Sequence, residues 1–558
     1  MLRKYFKYIF PIILIMGVLP FVFIKKDKDT LSLLEEKDML AYTIDGVSVG
    51  SSNMPAKGSG YVVSSITCKN GSKLVWDNDN WELEMVTLED FDSCVIDFTT
   101  DKTKSSTMVT LTSTESLVDK VDSTSKTATV QTPITFYVTT GYKPVSVDSC
   151  SSSSSLTSNK VIFNNVSSNQ NCTVKINKVY TLAEAILRDN PTVSERTSFT
   201  STNVDNTTGT IYKTNKTNDE SYVYYYSGNT TNNWVKFGKY TDDKSYYKGY
   251  ASAHSNNYLI YYSLDECTNA TSYNVKCTET NLWKADDDIY WRIIRTNEDE
   301  SVRLLYVGPK PNTTTSYIGL QVNYNLKHNN QKYVGYMYGE EGSLESVRTN
   351  TNSSNIKQYV DNWYAENLLS YDKYVSKDAI YCNDRSIGSG NFAGNAYYAA
   401  YNRVYAYKMP SYKCGANNTN GLYETTQSVA DKFNVSGNNG GNGQLTYPIA
   451  LVTSDELAFA GGLVATSMAS PYAWYHANSE NTSTTDMSWW TMTPYSTSIS
   501  SALGWLVWGS DNPGTINYFA ISTGTAVRPV ISLSPCVRIS GTGTSTDPYV
   551  LDQDASSC

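Results

Sequence analysis

The sequence is short of charge, of histidine and of the compact motifs that mark common enzymes. Only 18% of its 558 residues are Asp, Glu, Lys or Arg, below the quarter usual for soluble domains. The net charge of -9 leaves no basic footprint, so nucleic acid is not an expected partner. His254, His328 and His476 lie far apart and no HExxH occurs, which removes that zinc-hydrolase signature. The three are read as solvated surface histidines. No CxxC is present, and metal-type cysteine spacing is missing. There is no GxSxG elbow and no Walker loop. Gly388-Ser389-Gly390 lacks the flanking strand and helix of a phosphate loop and is read as an ordinary loop.

Polarity comes instead from Ser, Thr, Asn and 45 Tyr. Aromatics at 13% are enough to build cores, which argues against disorder. A chain rich in Tyr, Thr and Val favours strands, so a mainly β or α+β protein is expected. Ten cysteines fall as sequence neighbours: Cys68 and Cys94, Cys150 and Cys172, Cys267 and Cys277, Cys382 and Cys414, Cys536 and Cys558. Five short disulfide loops suit an oxidising, extracellular compartment, although spacing alone does not prove connectivity.

At the N-terminus, Arg3, Lys4 and Lys7 precede an apolar run from Tyr8 to Ile24, and Lys25 and Lys26 follow. Residues 1–27 are expected to form a signal-anchor helix in a membrane, with a cleaved signal peptide as the alternative. No LPxTG-type sorting motif occurs, which leaves that run as the expected anchor. Residues 28–41 read as a juxtamembrane stalk.

Residues 42–101 alternate polar and apolar through short strands at Tyr61–Val63, Leu74–Trp76, Trp81–Val86 and Cys94–Phe98, with turns at Asn70-Gly71 and Asp77–Asn80. Residues 102–178 repeat the plan, with strands expected at Thr107–Thr112, Thr127–Val130, Ile134–Thr139, Lys160–Phe163 and Thr173–Ile176. Ser151–Ser155 reads as a loop. Two small immunoglobulin-like β-sandwich modules are expected.

Residues 179–535 read as one head domain, with 536–558 as a disulfide-closed tail. Thr181 and Glu184 form a capping-box pattern ahead of a helix. Ile289–Arg295 and Val302–Val307 predict a hairpin. Ile356, Tyr359, Val360, Trp363 and Tyr364 form one apolar helical stripe capped near Ser354. Tyr447–Val452 reads as a buried strand, followed by a capping box at Thr453 and Glu456. Segments at Trp489, Gly504, Tyr518 and Ala526–Leu533 are expected to be strands of one sheet. Arg528, amid apolar neighbours, calls for a buried partner or backbone carbonyls.

The string Trp489-Trp490-x-x-Thr493-Pro494, a glycine-rich turn and Val527-Arg528-Pro529-Val530 resembles the closing strands of a bacterial extracellular domain family of unknown function. That family is similar to the C-type-lectin-like fold of formylglycine-generating enzymes, and the likeness extends upstream through Tyr290–Arg295 and Asn362-Trp363-Tyr364. The paired-cysteine modules and the Gly541–Val550 ending also resemble those of surface proteins of Gram-positive-type bacteria. The resemblance implies a C-type-lectin-like head on a cell-surface protein. It does not imply oxidase chemistry, because neither Cys414 nor Cys536 matches the reactive cysteine pair of that enzyme group.

The expected function is therefore non-catalytic and adhesin-like, with a glycan or a host or neighbouring surface protein as partner. An enzyme of unknown chemistry and a self-assembling structural protein are the alternatives. Ligand contacts are expected at Trp474, Tyr475, Trp508, Asp511, Asn512 and Tyr518, near loop ends of the last sheet, because sugar rings stack on aromatic faces. Trp489, Trp490 and Trp505 read as core. No cofactor is expected. Calcium is retained as an option at Asp77–Asn80, Asp286–Asp288 or Trp508–Asn512, none of which forms a complete EF loop.

Overall fold

A computed structural model describes residues 40–558 except 51–52, 88, 90–91, 102–105, 201–208, 256, 341–342, 348, 393, 417–429, 438–441, 465–473, 477–486, 499, 510–513, 555 and 557. Strand makes up 44% and helix 12%, so the protein is mainly β. All five neighbouring cysteine pairs are disulfide-bonded, which marks an extracellular type of protein.

One expectation needs correcting. Among the described residues no helix is long and apolar enough to cross a membrane. Residues 1–27, on which the membrane partner rested, lie outside the described residues. Anchoring through an N-terminal helix is therefore withdrawn.

The chain divides between Lys178 and Val179 into two compact units. In the first unit, Leu40–Ile44 runs parallel to Cys94–Thr100, which pairs antiparallel with Tyr61–Cys68. A hairpin, Lys73–Asp77 with Glu82–Thr87, brings Trp76 and Trp81 onto Phe98. The Asp77 carboxylate accepts the backbone N–H groups of Asp79 and Asn80 and the Asn80 amide. It is thus engaged in building the turn.

The second half of this unit has a four-stranded sheet (Tyr142–Asp148, Gln170–Lys178, Ser106–Thr112, Ser125–Thr129) and a three-stranded one (Ser154–Leu156, Lys160–Phe163, Ile134–Tyr137). Val109, Leu111, Phe136, Val161, Phe163 and Val174 fill its core, as the period-2 alternation requires. Ser154–Leu156 is a strand within the serine run read as loop. Its backbone pairs with Val161–Phe163, so pairing outweighs the low strand propensity of serine. Both halves of the unit pair their first strand parallel with their last. In both, a disulfide involves a cysteine of that last strand.

The second unit carries a ten-stranded and a seven-stranded sheet. The hairpin Asp288–Thr296 with Val302–Gly308 lies inside the first and is buried along most of its length. Helix Asn355–Asn367, capped by the Ser354 hydroxyl, contributes Ile356, Val360, Trp363 and Tyr364 to the same core. Capping boxes form at Thr181/Glu184 and Thr453/Glu456. Residues 536–558 are not a separate tail. Tyr549–Leu551 pairs with Trp234–Lys239, and Ile539 and Tyr549 are buried in the core.

The closing strands also differ from expectation. Trp489–Ser498, Ser501–Val507, Ile516–Ala520 and Gly524–Val527 belong to the seven-stranded sheet, whereas Pro529–Leu533 crosses into the ten-stranded one. Arg528 is the crossing point. Its fully buried guanidinium donates to the carbonyls of Tyr306 and Tyr475 and lies over the Trp489 ring. These contacts hold the chain where it changes sheets.

Candidate functional site

The residues expected to bind ligand separate into three groups. Trp474 and Tyr475 are buried, at 1% and 0% exposure, with Trp474 Nε1 donating to the Tyr226 carbonyl and the Tyr475 hydroxyl to that of Gly514. They are core residues, because the chain folds them under neighbouring segments. Trp508 is half-buried against the core, its ring 6.1 Å from Phe519. Asp511 and Asn512 lie outside the described residues. Tyr518 is exposed and belongs to a larger aromatic surface.

That surface is assembled from three segments. Ile516–Ala520 pairs with Ser501–Val507, placing Tyr518 opposite Trp505. Tyr495 sits on the adjoining Trp489–Ser498 strand. On the other side of that strand, Ala396–Tyr398 places Tyr397 opposite Ser496. The chain then enters a π-helical turn, Tyr401–Ala406, in which the Tyr407 N–H reaches the Asn402 carbonyl at 2.8 Å. Such widened turns are rare and recur at functional sites. This one brings Tyr401 and Tyr405 to a centroid distance of 5.2 Å.

The result is a contiguous platform of five tyrosines. Tyr401 contacts Tyr397 at 4.5 Å and Tyr495 at 5.7 Å. Tyr495 and Tyr518 stack in parallel at 3.8 Å, with Trp505 edge-on behind Tyr495 at 4.6 Å. Tyr397, Tyr405 and Tyr518 are each 42% exposed, whereas Tyr495 is buried at 8%. Burial and then the adjacent Tyr518 push the Tyr495 hydroxyl pKa well up, and burial also raises that of Tyr401. The platform is uncharged at neutral pH.

Beneath the turn lies a buried ionic network. Arg403 binds Asp455 through Nε at 2.8 Å and Asp384 at 2.6 Å, and also donates to the Ala416 carbonyl. Glu456 bridges Arg295 and Arg303, each at 3.2 Å. Arg385 pairs with Asp431. Burial alone would raise the Glu456 pKa, but Arg303 and Arg295 outweigh it and hold the carboxyl below its ordinary value. Removing one partner of such a buried pair leaves an uncompensated charge.

A cleft of about 400 Å³ adjoins this network, lined by Asn218, Asp219, Glu298, Asp299, Asp378 and Lys432 among others. Several of its carboxylates serve the fold. Asp219 accepts from Ser221 and Thr217, Glu298 from Asn218 and Asp299 from Ser301. Cys382, in the smaller cavity beside it, is bonded to Cys414 and so is no nucleophile. Among the described residues, the cluster of possible metal ligands is Cys68, Asp92 and Cys94, and its two sulfurs are bonded to each other. Asp288 pairs with Lys236 and Lys239. His476 is buried rather than surface-exposed, and burial, then Arg528, lower its pKa to about 4.

Protein-family models, curated proteins and solved structures were each compared with this chain, and none matches it.

Proposed function

We propose that this is an extracellular, adhesin-like binding protein whose second unit holds ligand, a glycan or a protein surface, without transforming it. One observation carries the reading: the contiguous, half-exposed platform of Tyr397, Tyr401, Tyr405, Tyr495 and Tyr518. Tyrosine supplies contact area and a polar tip at low conformational cost. The scaffold favours binding further. The rings lean on one another, and Arg403 fastens the turn that carries two of them, so little freedom is lost on contact. The resemblance to C-type-lectin-like surface domains is consistent with this assignment.

The test is a glycan and matrix-protein array probed with the purified full chain and with Tyr518→Ala. A specific signal carried by the wild type and lost in the variant is expected. A signal that survives Tyr518→Ala and Tyr405→Ala alike moves the site elsewhere.

A further inference from the structure

We infer that the ligand of the tyrosine platform is an uncharged glycan, held by ring stacking and neutral hydrogen bonds. This rests on the binding reading above and narrows it to one ligand class.

The first argument is the charge inventory of the segments that build the platform. From Ser386 to Tyr407 the only charged residue is Arg403, with the half-buried Lys408 next in the chain, and from Ser488 to Val527 the only one is Asp511. Arg403 is turned inward onto Asp455 and Asp384 and is buried. Asp511 lies outside the described residues. Lys408 aside, the described part of these segments therefore offers no surface cation for a sulfate, a uronate or a sialic acid. Covering an anion with aromatic faces and no counter-charge is costly.

The second argument is the polar fringe. Ser498 and Ser501, whose hydroxyls bond each other at 2.8 Å, form the hairpin tip beyond Tyr397. The hydroxyls of the stacked Tyr495 and Tyr518 rings can each both donate and accept. Hydroxyls match the hydroxyls of a neutral sugar and give little purchase to a charged group.

The third argument is spacing. Adjacent rings from Tyr397 through Tyr401 and Tyr405 stand 4.5 and 5.2 Å apart, and Tyr401 lies 5.7 Å from Tyr495. Neighbouring rings are inclined to one another, by 31° and 41° among Tyr397, Tyr401 and Tyr405 and by 71° between Tyr401 and Tyr495, so the surface presents both ring faces and ring edges to a ligand. A protein hot spot also draws on Tyr, but together with Trp and Arg, and neither of those two is exposed among the described residues of this surface.

The experiment is affinity electrophoresis of the full chain through gels containing soluble neutral polysaccharides (dextran, mixed-linkage β-glucan, glucomannan) or anionic ones (alginate, hyaluronan, heparin). Each gel is run at low and high salt, with and without chelator. Retardation by at least one neutral polymer is expected, unchanged by salt or chelator. Tyr518→Ala and Tyr405→Ala should each weaken it roughly tenfold, and Tyr518→Phe, which keeps the ring, should retain most of it. Tyr405 lies on a different segment, so the test does not depend on one variant folding. Retardation confined to anionic polymers, abolished by salt and by Tyr518→Ala, would overturn the uncharged-glycan inference and leave the platform standing as a binding site. Failure in every gel, with a protein ligand or self-association lost on Tyr518→Ala, would do the same. Retardation indifferent to the tyrosine variants would remove both.

Discussion

The turn Tyr401–Ala406 has two sides with opposite chemistry. Inward, Arg403 meets Asp455 and Asp384 in a buried network. Outward, Tyr401 and Tyr405 join an uncharged aromatic surface that solvent reaches. A chain poor in charge has buried conspicuous ion pairs and has left this part of the surface to tyrosine. The buried ions are thereby assigned to shape and the rings to recognition.

Breaking the inner side should have the largest effect. Arg403→Ala strands two buried carboxylates, and a loss of about 3–5 kcal/mol in denaturant unfolding is expected. A loss below about 1 kcal/mol would mean that the network contributes little. Removing the Cys382–Cys414 bridge by double serine substitution should cost about 2–4 kcal/mol by the same measurement.

Titration separates the two sides further. Glu456 and Glu298 have folded pKa values below the usual 4.5. Their stabilisation is therefore present above that value and is lost as pH falls through the lower folded ones. At the alkaline end, burial lifts Tyr381 and Tyr398 from 10.0 to about 12. Stability from these groups is complete below pH 10 and drains as pH rises toward 12. Unfolding followed by circular dichroism should thus be flat at neutral pH and fall at both ends, whereas ligand binding should stay constant between those limits.

Tyr518→Ala should weaken binding about tenfold, roughly 1.4 kcal/mol, while Arg403-type destabilisation is absent from its melting curve. Tyr518→Phe should change binding least, by less than about threefold, because it removes a hydroxyl and keeps the stacked ring.

Local signals in the sequence located many of the elements. Period-2 alternation marked Tyr61–Val63 and Thr107–Thr112, which lie within the strands Tyr61–Cys68 and Ser106–Thr112, and the Thr181/Glu184 and Thr453/Glu456 pairs marked two helix starts that the structure contains. Neighbouring cysteines proved to be bonded neighbours. Long-range relations were harder to read. Nothing local shows that the chain changes sheets at Arg528, since the strand pattern runs straight through Val527–Val530. Trp474 and Tyr475 look like loop aromatics, but the Tyr226 and Gly514 carbonyls that engage them come from distant segments. The platform was missed except for Tyr518, because its rings come from three separate segments. One signal was available: Tyr397, Tyr401 and Tyr405 recur every fourth residue in a stretch nearly free of charge, the spacing of one helical face.

The most direct measurement compares polysaccharide affinity in Tyr405→Ala, on the platform, with that in Asp378→Asn, in the acidic cleft. The account predicts that Tyr405→Ala loses about tenfold and that Asp378→Asn binds as the wild type does. Loss in Asp378→Asn with full binding in Tyr405→Ala would place recognition in the charged cleft and contradict the assignment of ions to shape and tyrosines to ligand.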